Sequence, residues 1–201
     1  GSLESDKIFS EGDKALVVID YSGDKILSVN MIDHYRMNYE AILAICFIIF
    51  LIAFAGKTGI RAILSFAITV LMIWKILVPL YLNGFEPIII GFFITVILTV
   101  LIISLVYGFN YKTFSAVSGA SLGLFVTAVL GIIFTSKLKI HGAIMPNSES
   151  LLYSGYQVLN LTKIYMASIF IGSSGAVMDL AVDITSAVNE VIEKKPDITA
   201  K

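Results

Sequence analysis

The sequence predicts an all-α polytopic membrane helix bundle of about five transmembrane helices, preceded by a short β-hairpin fragment of an extracytoplasmic module. Three observations carry this expectation. The chain is 57% hydrophobic and 14% charged, with a mean hydropathy of +0.90; a soluble domain is nearer half apolar and a quarter charged. The apolar residues fall in long blocks that one soluble core of 201 residues could not bury. Basic residues gather in short connections between alternate blocks, as they do in membrane proteins. The lipid bilayer is therefore the first partner. With a formal net charge of −1 and no basic block, nucleic acid is not expected as another.

Two domains are expected, residues 1–38 and 39–201. The chain opens Gly1-Ser2 without methionine, as a cleaved tag leaves it, and is expected to continue in both directions. Residues 15–21 and 25–32 are rich in β-branched side chains, with Ser22-Gly23-Asp24 as the turn between them. A lone two-strand hairpin is marginal in water, so further strands of this module are expected elsewhere.

The first apolar run, 41–56, is at the low edge of the ~17–25 residues a span needs. Tyr39 and Lys57 can extend it by anchoring at the interface. The second runs from Ile60 to Leu82 and contains Lys75 and Pro79. Pro79 has no amide hydrogen, so the Lys75 carbonyl loses its helix bond and a kink is expected there. Pro87, at a favoured first-turn position, starts the third, which runs to Phe109. Thr113 to Thr135 form the fourth, and the fifth runs from near Ile164 to near Glu193. Between the fourth and fifth, Leu151 to Leu159 suggests a helix lying at the interface.

Lys57 and Arg61, Lys112, and Lys194 with Lys195 put two loops and the C-terminus on the cytoplasmic side. The β segment and the long connection before Ile164 then face outward, although Lys137, Lys139 and Lys163 on that connection run against the rule.

Function is sought in charges and small residues inside the spans. Ser115, Gly119, Gly123, Thr127 and Gly131 recur at every fourth position on the fourth helix, a row that permits close helix approach. On the fifth, Ser168, Gly172, Gly175, Asp179, Asp183, Ser186 and Glu190 fall in one sector about 80° wide. Asp179 lies about 22 Å along the axis from Ile164, inside a hydrocarbon core of about 30 Å. An aspartate there is expensive and is expected to face the bundle or a water cavity. Lys75 either snorkels outward or joins an interior ion pair. Cys46 stands alone, and His34 and His141 make no metal-ligand spacing, so neither disulfide, metal nor cofactor is expected.

Helix five reads Gly-Ala-Val-Met-Asp-Leu-Ala from Gly175 to Ala181, then Ser186 and Glu190. Upstream stand Lys75, Pro79, Gly84-Phe-Glu-Pro87, Gly108-Phe-Asn-Tyr-Lys-Thr113, Gly119 and Gly123. Together these resemble the YibE/F-like membrane proteins, over residues 12–201. The resemblance implies a bacterial multi-pass protein of the cytoplasmic membrane whose helices continue past residues 196–199. Asp179 and Glu190 match the family pattern, whereas Asp183 sits where more variation is expected. No reaction is implied.

Two functions stay open. A transporter or permease for a small solute or ion would use the Asp179 face together with the Lys75–Pro79 region. A non-catalytic assembly protein would bind a membrane partner, or its own copy, through the small-residue row of helix four. An intramembrane aspartyl protease needs carboxylates on different helices. Asp179 and Asp183 share one, so no enzyme is expected.

Overall fold

The computed structural model describes residues 8–22, 25–145, 148, 156 and 159–195. It divides into two compact units between Phe54 and Ala55.

In the first unit, β1 (Ala15–Ser22) and β2 (Lys25–His34) form an antiparallel ribbon. Its register pairs Ala15 with His34, with irregularities at Leu16/Val17 and Asp20/Tyr21. The Tyr35 N–H donates to the Lys14 carbonyl at 2.6 Å and closes the base of the ribbon. Val17, Val18 and Ile19 are all exposed although alternation sends them to both faces. The ribbon is therefore uncovered on either side.

The chain is helical from Met37 to Leu82: α1 (Met37–Met72), a π turn at Ile73–Leu77, and α2 (Val78–Leu82). Inside α1 only Gly56 leaves helical geometry, at φ 54° and ψ −126°, a left-handed φ that glycine tolerates. The connection expected between the first two spans is thus one residue, because the flanking Ala53, Phe54, Ala55 and Lys57 carry helical geometry up to it. Ahead of Pro79 the chain widens rather than breaks. The Val78 N–H donates to the Ile73 carbonyl, five residues back, so the π turn absorbs the missing proline donor.

The second unit continues with α3 (Pro87–Tyr107), α4 (Tyr111–Lys137) and α5 (Leu161–Lys194). Among the described residues, four helices are long and apolar enough to cross a membrane: Met37–Leu82, α3, α4 and α5. The architecture is mostly helical with one two-stranded sheet. The boundaries follow local chemistry. Pro87 opens α3, and Gly108, at φ 82°, ends it with its N–H on the Ser104 carbonyl. The Asn110 side chain caps α4 by accepting from the Thr113 N–H at 2.8 Å. Asn160 caps α5 in the same way, accepting from Lys163 at 3.0 Å. Of the segment 151–159, where an interfacial helix is expected, residues 151–155, 157 and 158 lie outside the described residues, and Tyr156 and Leu159 are not helical.

Helix α5 packs along both α4 and α3. Three apolar clusters line this contact: Ile103, Ala116, Ala120, Met178 and Val182; Ala128, Ala167 and Phe170; and Leu77, Ile94 and Leu98. The polar residues inside are self-contained. Thr95 and Thr99 donate to the carbonyls four residues back, at 2.7 and 2.9 Å. Among the described residues no buried side-chain nitrogen or oxygen lacks a partner. The buried polar side chains of the α3–α4–α5 bundle are therefore satisfied, while a cavity of about 270 Å³ lined by Ile103, Asn110, Thr113, Val182 and Ser186 opens between the three helices toward the Lys112 end.

Candidate functional site

Two ion pairs set the depth scale of α5. Near its first turn, Lys163 Nζ meets Glu86 Oε2 at 2.9 Å; near its last, Lys112 Nζ meets Glu193 Oε1 at 3.2 Å. They lie about 45 Å apart along the helix, which matches a bilayer measured across its headgroup regions. Asp179 falls about 24 Å from the first and about 21 Å from the second. It stands near the midpoint of α5 between the two pairs.

Its direction follows from which side of α5 is buried. The buried residues of α5 are Leu161, Met166, Ala167, Phe170, Met178 and Val182. At 100° per residue Asp179 stands opposite Phe170, which is fully buried. Ser168, Gly172, Gly175, Asp179, Asp183, Ser186 and Glu190 are all exposed. The predicted sector exists as one continuous stripe, but it points away from α3 and α4 and not into the bundle. The reason is packing. Bulky Phe170 and Met178 and the small Ala167 interlock with Ala116, Ala120 and Ala128 of α4, and that leaves the polar side outward.

Ions and space around the stripe are open. A Cβ placed on Gly172 or Gly175 would meet nothing within 4 Å. Leu180 and Ile184, both well exposed, flank the two aspartates. Glu190 is tied to Lys194 on its own helix at 2.5 Å. No ion pair joins Asp179 or Asp183 to another described residue.

Lys75 is not brought to the aspartates. It is exposed, with Nζ 4.2 Å from the centre of the Trp74 ring, a cation–π contact. It lies about 10 Å from Leu82, well above Asp179 in depth. Pro79 sits two residues past the end of the π turn, in the first turn of α2.

The small-residue row of α4 faces α5. A Cβ on Gly123 would come 2.7 Å from Val177 Cγ1, one on Gly131 3.5 Å from Ile169, and one on Gly119 3.9 Å from the Ala181 Cβ. Thr127 donates to the Gly123 carbonyl at 2.9 Å, and Ser115 is exposed. The most buried line of α4 runs beside this row, through Thr113, Ala116, Ala120, Leu124 and Ala128. Gly123 and Gly131 of the row are thus occupied within the chain, whereas Ser115 and Gly119 are exposed.

Sequence reasoning missed the two bracketing ion pairs. Their partners are separated by 77 and 81 residues, and no local spacing signals them. It also missed Gly91, against which the Tyr81 hydroxyl and the Ala167 Cβ pack. His141 accepts from the Ala143 N–H at 3.3 Å and caps a 3-10 turn. No cluster of three or more His, Cys, Asp or Glu suited to a metal occurs among the described residues.

The family profile described as YibE/F-like protein matches residues 43–201, most of the chain including α3, α4 and α5. No curated protein and no solved structure matches. The chain belongs to the YibE/F-like family.

Proposed function

We propose that this member of the YibE/F-like family is a multi-pass permease for a small solute or ion, whose path runs along the Asp179–Asp183 face of α5. That it is a membrane protein rests on its apolar helices and its family. One observation supports the rest: Asp179, about midway along an apolar helix long enough to cross a membrane, is exposed on the side of α5 opposite the buried Phe170. Lipid does not tolerate that arrangement, which costs at least about 2.5 kcal/mol, so water or a counter-charge must reach Asp179. A hydrated acidic stripe that runs toward one membrane face suits a cation or a protonated solute. On this reading the protein carries out no covalent chemistry.

The topology follows from length. Met37–Leu82 spans about 69 Å if straight, more than twice the hydrocarbon core. We count it as two crossings that meet near Gly56, beside Lys57 and Arg61, which makes five in all. The basic residues place the Lys112–Glu193 end and the end of α5 in the cytoplasm of a bacterial cell, with the ribbon outside.

The test has two parts. In a Cys46→Ser background, single cysteines at positions 172, 175, 179 and 183 should react with a small water-soluble thiol reagent, while positions 177 and 182 stay protected. In proteoliposomes, Asp179→Asn should abolish cation or proton flux and leave insertion intact. Unchanged flux overturns the proposal. A second reading, non-transporting assembly, is favoured by the empty space over Gly172 and Gly175. It predicts no labelling before denaturation and loss of a co-purifying membrane partner on Gly175→Leu.

A further inference from the structure

We propose that a second copy of this chain covers the acidic face of α5, with Arg61 of one copy meeting Asp183 of the other toward the cytoplasmic end of the spans. The argument starts from what is left uncompensated. Asp179 and Asp183 are exposed along a membrane-spanning helix and form no ion pair among the described residues. Arg61 is likewise exposed and forms none. Such groups in a bilayer pair with one another or reach water.

Depth then selects the partner. Tyr81 donates from its hydroxyl to the Pro87 carbonyl at 3.0 Å, and Glu86 holds Lys163 at 2.9 Å, so the end of α2 and the start of α5 lie at one level. Arg61 is about 31 Å along the helix from Leu82, and Asp183 is about 30 Å along α5 from Lys163. Both therefore sit at a similar distance along their helices from that level, and no ion pair joins them among the described residues. Two copies inserted in the same orientation keep every residue at its depth. A two-fold axis along the membrane normal would then form the Arg61–Asp183 pair twice. Lys75 is about 14 Å away from Asp179 in depth and cannot serve.

The surfaces are complementary beyond the charges. Lys57, Arg61, Leu64, Ile68 and Leu71 share one sector of α1, and Arg61, Leu64 and Leu71 are exposed there. Leu71 lies about 16 Å from Leu82, level with Gly172 and Gly175 at about 14 and 18 Å from Lys163. A leucine ridge thus faces the stretch of α5 that has no side chains. Small residues with open space beside them are what close approach of membrane helices needs. Gly91 and Gly123, by contrast, are already filled by Tyr81 and Val177.

This proposal rests on the permease reading only in taking the same face. A second copy over it shields positions 172, 175 and 183 in native membranes and leaves them reactive in the isolated monomer, and cross-linking is read without any flux, so either can fail alone. Two differently tagged full chains in a Cys46→Ser background would be co-expressed in native membranes, one with Arg61→Cys and one with Asp183→Cys. Oxidation should join the two tags in one band, several-fold above a control pair of Arg61→Cys with Leu122→Cys. Leu122 is exposed on α4 at a similar depth, about 15 Å from Lys112. A yield no higher than the control overturns the proposal. Should the cysteine variants fail to insert, charge exchange decides it. An Arg61→Asp copy and an Asp183→Arg copy should each lose self-association and recover it when mixed. If both insert and mixing restores nothing, the pair does not exist.

Discussion

The two sides of α5 are built from the same 34 residues and serve opposite ends. The inner side, Met166, Ala167, Phe170, Met178 and Val182, is fitted against α3 and α4. The outer side carries glycine, serine and three carboxylates, and among the described residues its one ion pair is that of Glu190 with Lys194. In water such a helix would need no comment, since its polar side would simply be solvated. In a bilayer the logic reverses. Lipid is as apolar as leucine, so the inner side gains from packing and not from leaving water. The outer side is the one whose presence has to be explained, and it is where function is to be sought.

The contrast can be broken by substitution, beginning with the largest effect. Gly142 lies so close to the backbone of Leu161 and Thr162 that no side chain fits. Gly142→Ala should therefore cost about 3 kcal/mol in unfolding from mixed micelles, since backbone cannot rotate away as a side chain can. A loss below about 1 kcal/mol would mean that the start of α5 is not seated there. Phe170→Ala should cost about 2 kcal/mol, chiefly through the cavity left beside Ala128 and Phe92.

Gly123→Ala should cost about 1 kcal/mol, because its new methyl meets Val177. Gly175→Ala is the sharpest comparison. In the monomer isolated in detergent it should gain about 0.5 kcal/mol, the helix preference of alanine over glycine, since nothing lies within reach. The same substitution in membranes should lower the Arg61–Asp183 cross-link. If Gly175→Ala destabilises the isolated monomer as Gly123→Ala does, the outer side is packed within the chain and the distinction between the two sides fails. The smallest effect is expected at Glu193→Gln, where the carboxylate and Lys112 are both exposed. No resolvable change in thermal stability should follow, and a clear loss would make that ion pair a true anchor of α5.

How much was legible beforehand varies with the kind of signal. Hydropathy and breakers located the helices: Pro87, Gly108 and Asn110 mark ends in the sequence and mark them in the structure. The β ribbon was readable from its branched residues and the turn at Ser22-Gly23-Asp24. The acidic stripe was readable as a stripe, because helical periodicity alone places Gly172, Gly175, Asp179 and Asp183 together. Gly56 was harder. It stands in a run of helix formers, so the chain passes from one expected span toward the next with a single non-helical residue. Pro79 predicted a break, and the π turn just before it absorbed one instead.

By itself, then, the sequence determined the class, the ribbon, the helix ends and the grouping of residues on each helix face, since these depend on composition and on neighbours within a turn or two. Which face of α5 turns inward was decided only by the tertiary structure. The expense of a carboxylate in lipid argued for the polar side facing the bundle or a water cavity, without deciding between them. The outcome depended on how Phe170 and Met178 fit the alanines of α4 and on two ion pairs spanning 77 and 81 residues. Contacts of that range leave no mark on local spacing, because the residues that satisfy one another are chosen by the packing of whole helices.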